Sequence, residues 1–244
     1  MKVASVHSVL LAGLVATLAT AQAQSAVVTG VTVESFSSQF LADSRLALHT
    51  IDGSGLDPAA SSDITANHNG VPGSTTDDGD PTNFTGMWLD LADSDGLANI
   101  VYDLGAVYTI DKLYVWNYSE EQQNNPGLRN RGANDVDVYA DNNANPTAFI
   151  QNFDFTIADD FSDLSFGGPG AYITGYGQPA VVYTFTSPVT ARYFELDILS
   201  NHGGGGVGLA EIRFNAIPEP SSLLLSMFGI AGMVRFRRRR PSNL

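Results

Sequence analysis

The chain has 244 residues, 26 acidic against 12 basic, with a net charge of −14 and no cysteine. That excludes a disulfide frame and thiol chemistry, and it disfavours nucleic acid and anionic membrane surfaces as partners. The length allows one domain with a substantial core once two unusual ends are set aside.

Lys2 precedes an apolar run, Val9 to Ala19, which has the length of a signal-peptide core and is short for a bilayer span. Ala21 and Ala23 have the A-x-A spacing of a cleavage site. Residues 1–23 are therefore expected to be a signal peptide, with an uncleaved anchor as the alternative. The segment 24–216 carries six basic residues against 25 acids, a net −19, because Lys2 and five arginines lie in the ends. No helical period runs through it. Short stretches alternate instead, the signature of half-buried strands. In "DKLYVWNY" Leu113 and Val115 oppose Tyr114 and Trp116. In "DVDVYA" Val136 and Val138 face in, and Asp135 and Asp137 face out. "RYFELDI" aligns Phe194, Leu196 and Ile198, and "LAEIRF" aligns Ala210, Ile212 and Phe214. The expected fold class is all-β, a sandwich or jelly roll. Segments 57–82 and 159–177 are rich in Gly, Asp, Ser and Pro and read as surface insertions.

The chain closes with "IPEPSSLLLSMFGIAGMVRFRRRRPSNL". Pro218, Glu219 and Pro220 end the domain, since proline resists helix continuation. An apolar stretch follows that approaches a membrane span, then Arg235 and Arg237, Arg238, Arg239 and Arg240, which stay cytoplasmic under the positive-inside rule. This three-part order resembles the PEP-CTERM sorting signal of Gram-negative bacteria. The resemblance implies transient anchoring in the inner membrane, processing by an exosortase and release to the cell surface or extracellular matrix. The domain layout is then 1–23, 24–216 and 217–244. A plain membrane anchor is the alternative.

Between the ends, "HTIDGSGL", "NIVYDLGAVYTIDKLYVWNY", "RGANDVDVYADN", "ARYFELDILSN" and "VGLAEIRF" occur in that order. Together they resemble the discoidin or coagulation factor V/VIII type C superfamily, galactose-binding-like domains that include family 32 carbohydrate-binding modules. The resemblance implies an eight-stranded jelly roll whose loops at one end bind ligand, here an extracellular polysaccharide or glycan. It also implies a structural calcium between an early Asp-Gly loop and a Glu on the last strand. Asp52 and Glu211 match those positions. Asp57 is added because calcium takes six to eight oxygens. The alternative is an ordinary Asp-Gly turn.

The polar loop "NYSEEQQNNPGLRNRG" carries Tyr118, Arg129 and Arg131. Sugars are held by aromatic faces and planar hydrogen-bonding groups, so these residues, with Trp88 and His202 from elsewhere, form the candidate ligand set. Arg131 equally well pairs with Glu120 or Glu121 and pins its loop, core packing is the alternative for Trp88, and His202 suits a plain surface position. His49 and His68 lack partners at zinc spacing. No serine sits in a nucleophile elbow, no glycine-rich loop precedes a helix, and the Asp159–Asp160 pair lies in a polar segment. The expectation is a non-catalytic exported binding protein, with a purely structural or adhesive role as the alternative and a glycoside-active enzyme behind both.

Overall fold

The computed structural model describes residues 25–40, 45–57, 64–68, 86–91, 97–120, 127–157 and 178–217. The signal peptide, segment 159–177, and the sorting residues Pro218, Glu219, Pro220 and Arg237 to Arg240 lie outside them. Among the described residues no helix is long and apolar enough to cross a membrane. The unit Ala26–Ala216 is compact.

Among the described residues ten strands follow one another: β1 Ala26–Val27, β2 Thr32–Phe36, β3 Leu56–Asp57, β4 Asn67–His68, β5 Trp88–Asp90, β6 Ala98–Asn117, β7 Asp135–Asp141, β8 Phe149–Asp154, β9 Val181–Ile198 and β10 Val207–Ala216. Short 3-10 turns occupy Ala47–Thr50 and Leu128–Arg131. Eight strands form one antiparallel sheet in the path β1-β10-β6-β9-β7-β8, with β2 on β6 and β5 on β10; β3 and β4 pair separately.

The long partners β6 and β9 turn the sheet into a sandwich. Their register breaks between Asp103 and Tyr108 and again between Ile110 and Lys112. One half of β6 pairs with β2, and the other half pairs with β10. The two halves close on a shared core. Ile100, Tyr102, Val136, Val138, Phe194 and Leu196 come from one, Leu113, Val115, Ile212 and Phe214 from the other. Across the layers the Phe214 ring lies 5.5 Å from Tyr102 and 5.4 Å from Phe194. The first bend is the Asp-Leu-Gly stretch. Gly105 has φ +79°, a left-handed conformation that only glycine adopts without strain. Asp103 fixes it by accepting from the Gly105 N–H at 2.7 Å and holding Arg192 in a two-pronged pair at 2.8 and 2.7 Å.

The alternation seen in the sequence is realised in β6, β7 and β9. One residue departs from it. Ala210 does not share the face of Ile212 and Phe214, because the register between β10 and β6 shifts between Leu209 and Glu211. A bulge there turns Ala210 to the opposite side, where it joins Leu56, Ala66, Met87, Leu89, Trp116 and Tyr118 in a second apolar cluster. Segments 45–57, 64–68 and 86–91 supply part of that cluster, so β10 is buried on both faces except at Ala216. Part of segment 57–82 is thus interior rather than a surface insertion. Ala66 and His68 are 2% and 0% exposed, and Trp116 donates its indole N–H to Ala66 O at 3.0 Å.

Candidate functional site

Two connections meet at one end of the sandwich. The first leaves β6 at Asn117 and returns through the Leu128–Arg131 turn. The second joins β9 to β10 through Ser200 to Gly206. The Gly204 N–H donates to Asn130 O at 3.0 Å, Ala133 N–H to Gly208 O at 3.2 Å, and Asn134 N–H to Ser200 O at 2.9 Å. Gly204 fits because it has no Cβ: one built there would lie 2.5 Å from Arg131 N. Asn201 braces the second loop, donating to Gly204 O at 2.9 Å and Gly206 O at 2.7 Å. His202 Nε2 lies 2.8 Å from Phe155 O. Arg129, Arg131 and His202 are all half-buried.

Beneath this rim lies a buried ion pair. Arg45 Nη2 donates to Glu120 Oε1 at 2.9 Å, and its Nη1 donates to Tyr118 Oη at 2.8 Å. Tyr118 in turn donates to Glu120 Oε2. Burial, and then the Glu120 charge, push the Tyr118 hydroxyl well above its ordinary range, so it stays a neutral donor. Arg131 Nη1 reaches the same carboxylate from the rim at 3.5 Å.

Of the expected ligand set, Arg129, Arg131 and His202 therefore sit on packed neighbouring loops. Tyr118 is tied to Arg131 through Glu120, but it is 0% exposed. Trp88 is also 0% exposed and spends its indole N–H on Ser38 O at 2.8 Å. Neither ring presents a face to solvent: Trp88, opposite Leu209 on β10, packs in the shared core, and Tyr118 packs in the second apolar cluster. Arg45, the buried counter-ion, carried no signal in the sequence. Its partner lies 75 positions away, a separation that only the fold closes.

The second region joins "IDGSGL" to the last strand. Glu211 is 0% exposed. Its Oε2 accepts from the Gly53 N–H at 3.0 Å, and its Oε1 takes the Arg213 guanidinium. Residues two apart on a strand share a face, so this partnership was legible in "EIR". Asp52 Oδ2 lies 2.9 Å from His49 Nδ1, and Asp52 Oδ1 accepts from the Ser54 N–H at 2.8 Å. Burial brings the Arg213 guanidinium down to about 10, against the opposing pull of the Asp52 charge. A cavity of about 200 Å³ adjoins it, lined by Val28, Thr29, Gly30, Val31, Ile51, Asp52, Ile212 and Arg213. The expected juxtaposition of the Asp52 loop with Glu211 is present. The side chain of Asp57 lies outside the described residues, and among those no three His, Asp or Glu side chains converge as a metal cluster.

The C-terminal segment, residues 216–240, matches the PEP-CTERM protein-sorting motif. No curated protein matches the chain. Among solved structures it is similar to the family 32 carbohydrate-binding module of C. perfringens NanJ in complex with galactose, at 14% identity over 79% of this chain and 99% of that one, TM-score 0.47. It is also similar to the C-terminal domain of a chitobiase from Bacteroides fragilis, at 16% identity over 80% and 100%, TM-score 0.47. A third is a family 32 module from Clostridium perfringens in complex with GalNAc-β-1,3-galactose, at 12% identity over 78% and 99%, TM-score 0.45.

Proposed function

We propose that the protein is an exported, non-catalytic carbohydrate-binding domain, delivered to the cell surface or extracellular matrix of a Gram-negative bacterium by its C-terminal signal. The sorting motif over 216–240 supports export, with an exosortase as the processing partner and the inner membrane as a transient station. One observation supports binding. Arg129, Arg131 and His202 stand on two neighbouring loops that backbone hydrogen bonds lock together, with a buried ion pair as foundation. Planar guanidinium and imidazole groups on a rigid rim suit paired sugar hydroxyls. The partner class is an extracellular polysaccharide or glycan.

A second reading, a structural or adhesive surface protein without a defined sugar, draws on the enclosure of Trp88 and Tyr118. That enclosure removes the aromatic platform from the expected set. A glycan array on the intact exported protein, followed by calorimetry on any hit, separates the two. A defined sugar that titrates and is lost in Arg131→Ala supports binding. An array without hits supports the structural role.

A further inference from the structure

A carboxylate with no exposure must be neutralised or hydrogen-bonded from every side. For Glu211 the resemblance implies a calcium ion, but the donor set around it does not fit one. Calcium collects six to eight oxygens. Gly53 turns its N–H to Glu211, not its carbonyl. Both oxygens of Asp52 already meet nitrogen, from Ser54 N and His49 Nδ1. The remaining oxygen of Glu211 faces a guanidinium. A fixed cation at that oxygen repels a second one.

We infer that Arg213 occupies the place of the divalent cation, so that this chain clamps its Asp-Gly loop to its last strand without metal. The pairing is local to β10, because positions 211 and 213 share a face. Arg213 is 3% exposed, and its Nη1 also donates to Ile212 O at 3.0 Å, which fixes the head of the side chain. Its Nε and Nη2 have no partner among the described residues. A cavity of about 200 Å³ adjoins the side chain, but those two nitrogens are themselves buried. Asp52 lines the same cavity, and its charge favours the guanidinium over the neutral form. The consequence is a clamp that holds at any calcium concentration outside the cell.

The test is thermal melting of the full chain in detergent, in millimolar calcium and in millimolar EDTA. The wild-type midpoint is expected to be the same in both, with no stoichiometric calcium in elemental analysis. Arg213→Met leaves Glu211 buried and unpaired. It should lower the midpoint by roughly 10 °C in calcium and in EDTA alike, because the buried charge loses its partner and the remaining donors still do not fit calcium. Adding Glu211→Gln in that background should recover several degrees, because the unpaired buried charge is gone. If Arg213→Met does not fold, Arg213→Lys keeps a charge at the position and should fold with no response to EDTA. A wild-type midpoint that drops by several degrees in EDTA, or bound calcium at one per chain, overturns the inference. So does a folded Arg213→Met that melts with the wild type.

Discussion

Two buried glutamates, Glu120 and Glu211, are neutralised in opposite ways. Glu120 is met by residues from three segments: Arg45, Tyr118 and Arg131. Glu211 is met by its strand neighbour Arg213 and by one backbone N–H from the Asp-Gly loop. The first arrangement ties distant segments together and props up the loop rim. The second is assembled within one strand and needs a single loop to close over it. A tertiary ion pair therefore organises the end where ligands are expected, and a local one fastens the chain's early loop to its late strand.

Glu120→Ala should have the largest effect, because it removes the carboxylate paired with the 4%-exposed Arg45 and bonded to Tyr118. A loss of about 3–5 kcal/mol is expected in urea unfolding. A loss below about 1 kcal/mol would mean that the pair does not organise the rim.

Acid probes the Glu211 side next. His68 is buried behind Gly55, where a Cβ would lie 2.4 Å from the imidazole. Burial lowers its pKa from 6.5 to about 4. The unfolded chain takes up the proton near pH 6.5 and the folded chain only near 4, so the contribution is complete above 6.5 and is lost as the pH falls through that window. The loss is about 3 kcal/mol. His68→Gln should flatten that part of the pH–stability curve. Glu195 and Asp197 act in the opposite sense, since burial raises both, so the difference between variant and wild type is the quantity to measure.

Gly204→Ala separates the two loops at the rim. Its Cβ would meet Arg131 N at 2.5 Å and Asn130 C at 2.7 Å, and overpacking of this kind costs about 1–3 kcal/mol. Sugar binding should fall further than stability does, which calorimetry and melting read separately. Arg131→Ala is milder. Its contact with Glu120 is long and its side chain is 21% exposed, so less than about 1 kcal/mol of stability is expected to go. A tenfold weaker sugar affinity, about 1.4 kcal/mol, would then mark a ligand contact. A drop of several degrees in melting temperature would mark a loop pin instead.

The smallest effect lies away from both regions. Asp137 on β7 stands directly opposite Asp197 on β9. Like charges in a cross-strand pair are unfavourable, so Asp137→Asn should stabilise by about 0.5 kcal/mol in low salt. The gain should shrink as salt screens the pair.

The sequence by itself determined the all-β class and the faces of β6, β7 and β9, because strand alternation is local and each residue's side follows from its neighbours. It also determined the C-terminal sorting motif, whose three parts are contiguous, and it placed Glu211 and Arg213 on one face. Tertiary structure alone decided the rest. The bulge after Leu209 turned Ala210 away from Ile212, and strand pairing enclosed Trp88 and Tyr118 that composition had offered to a ligand. The folded sheet also brought Arg45 across 75 positions to Glu120. These outcomes depend on register and on partners remote in sequence. Period-two patterning carries the side on which a residue lies, but not what it will meet there.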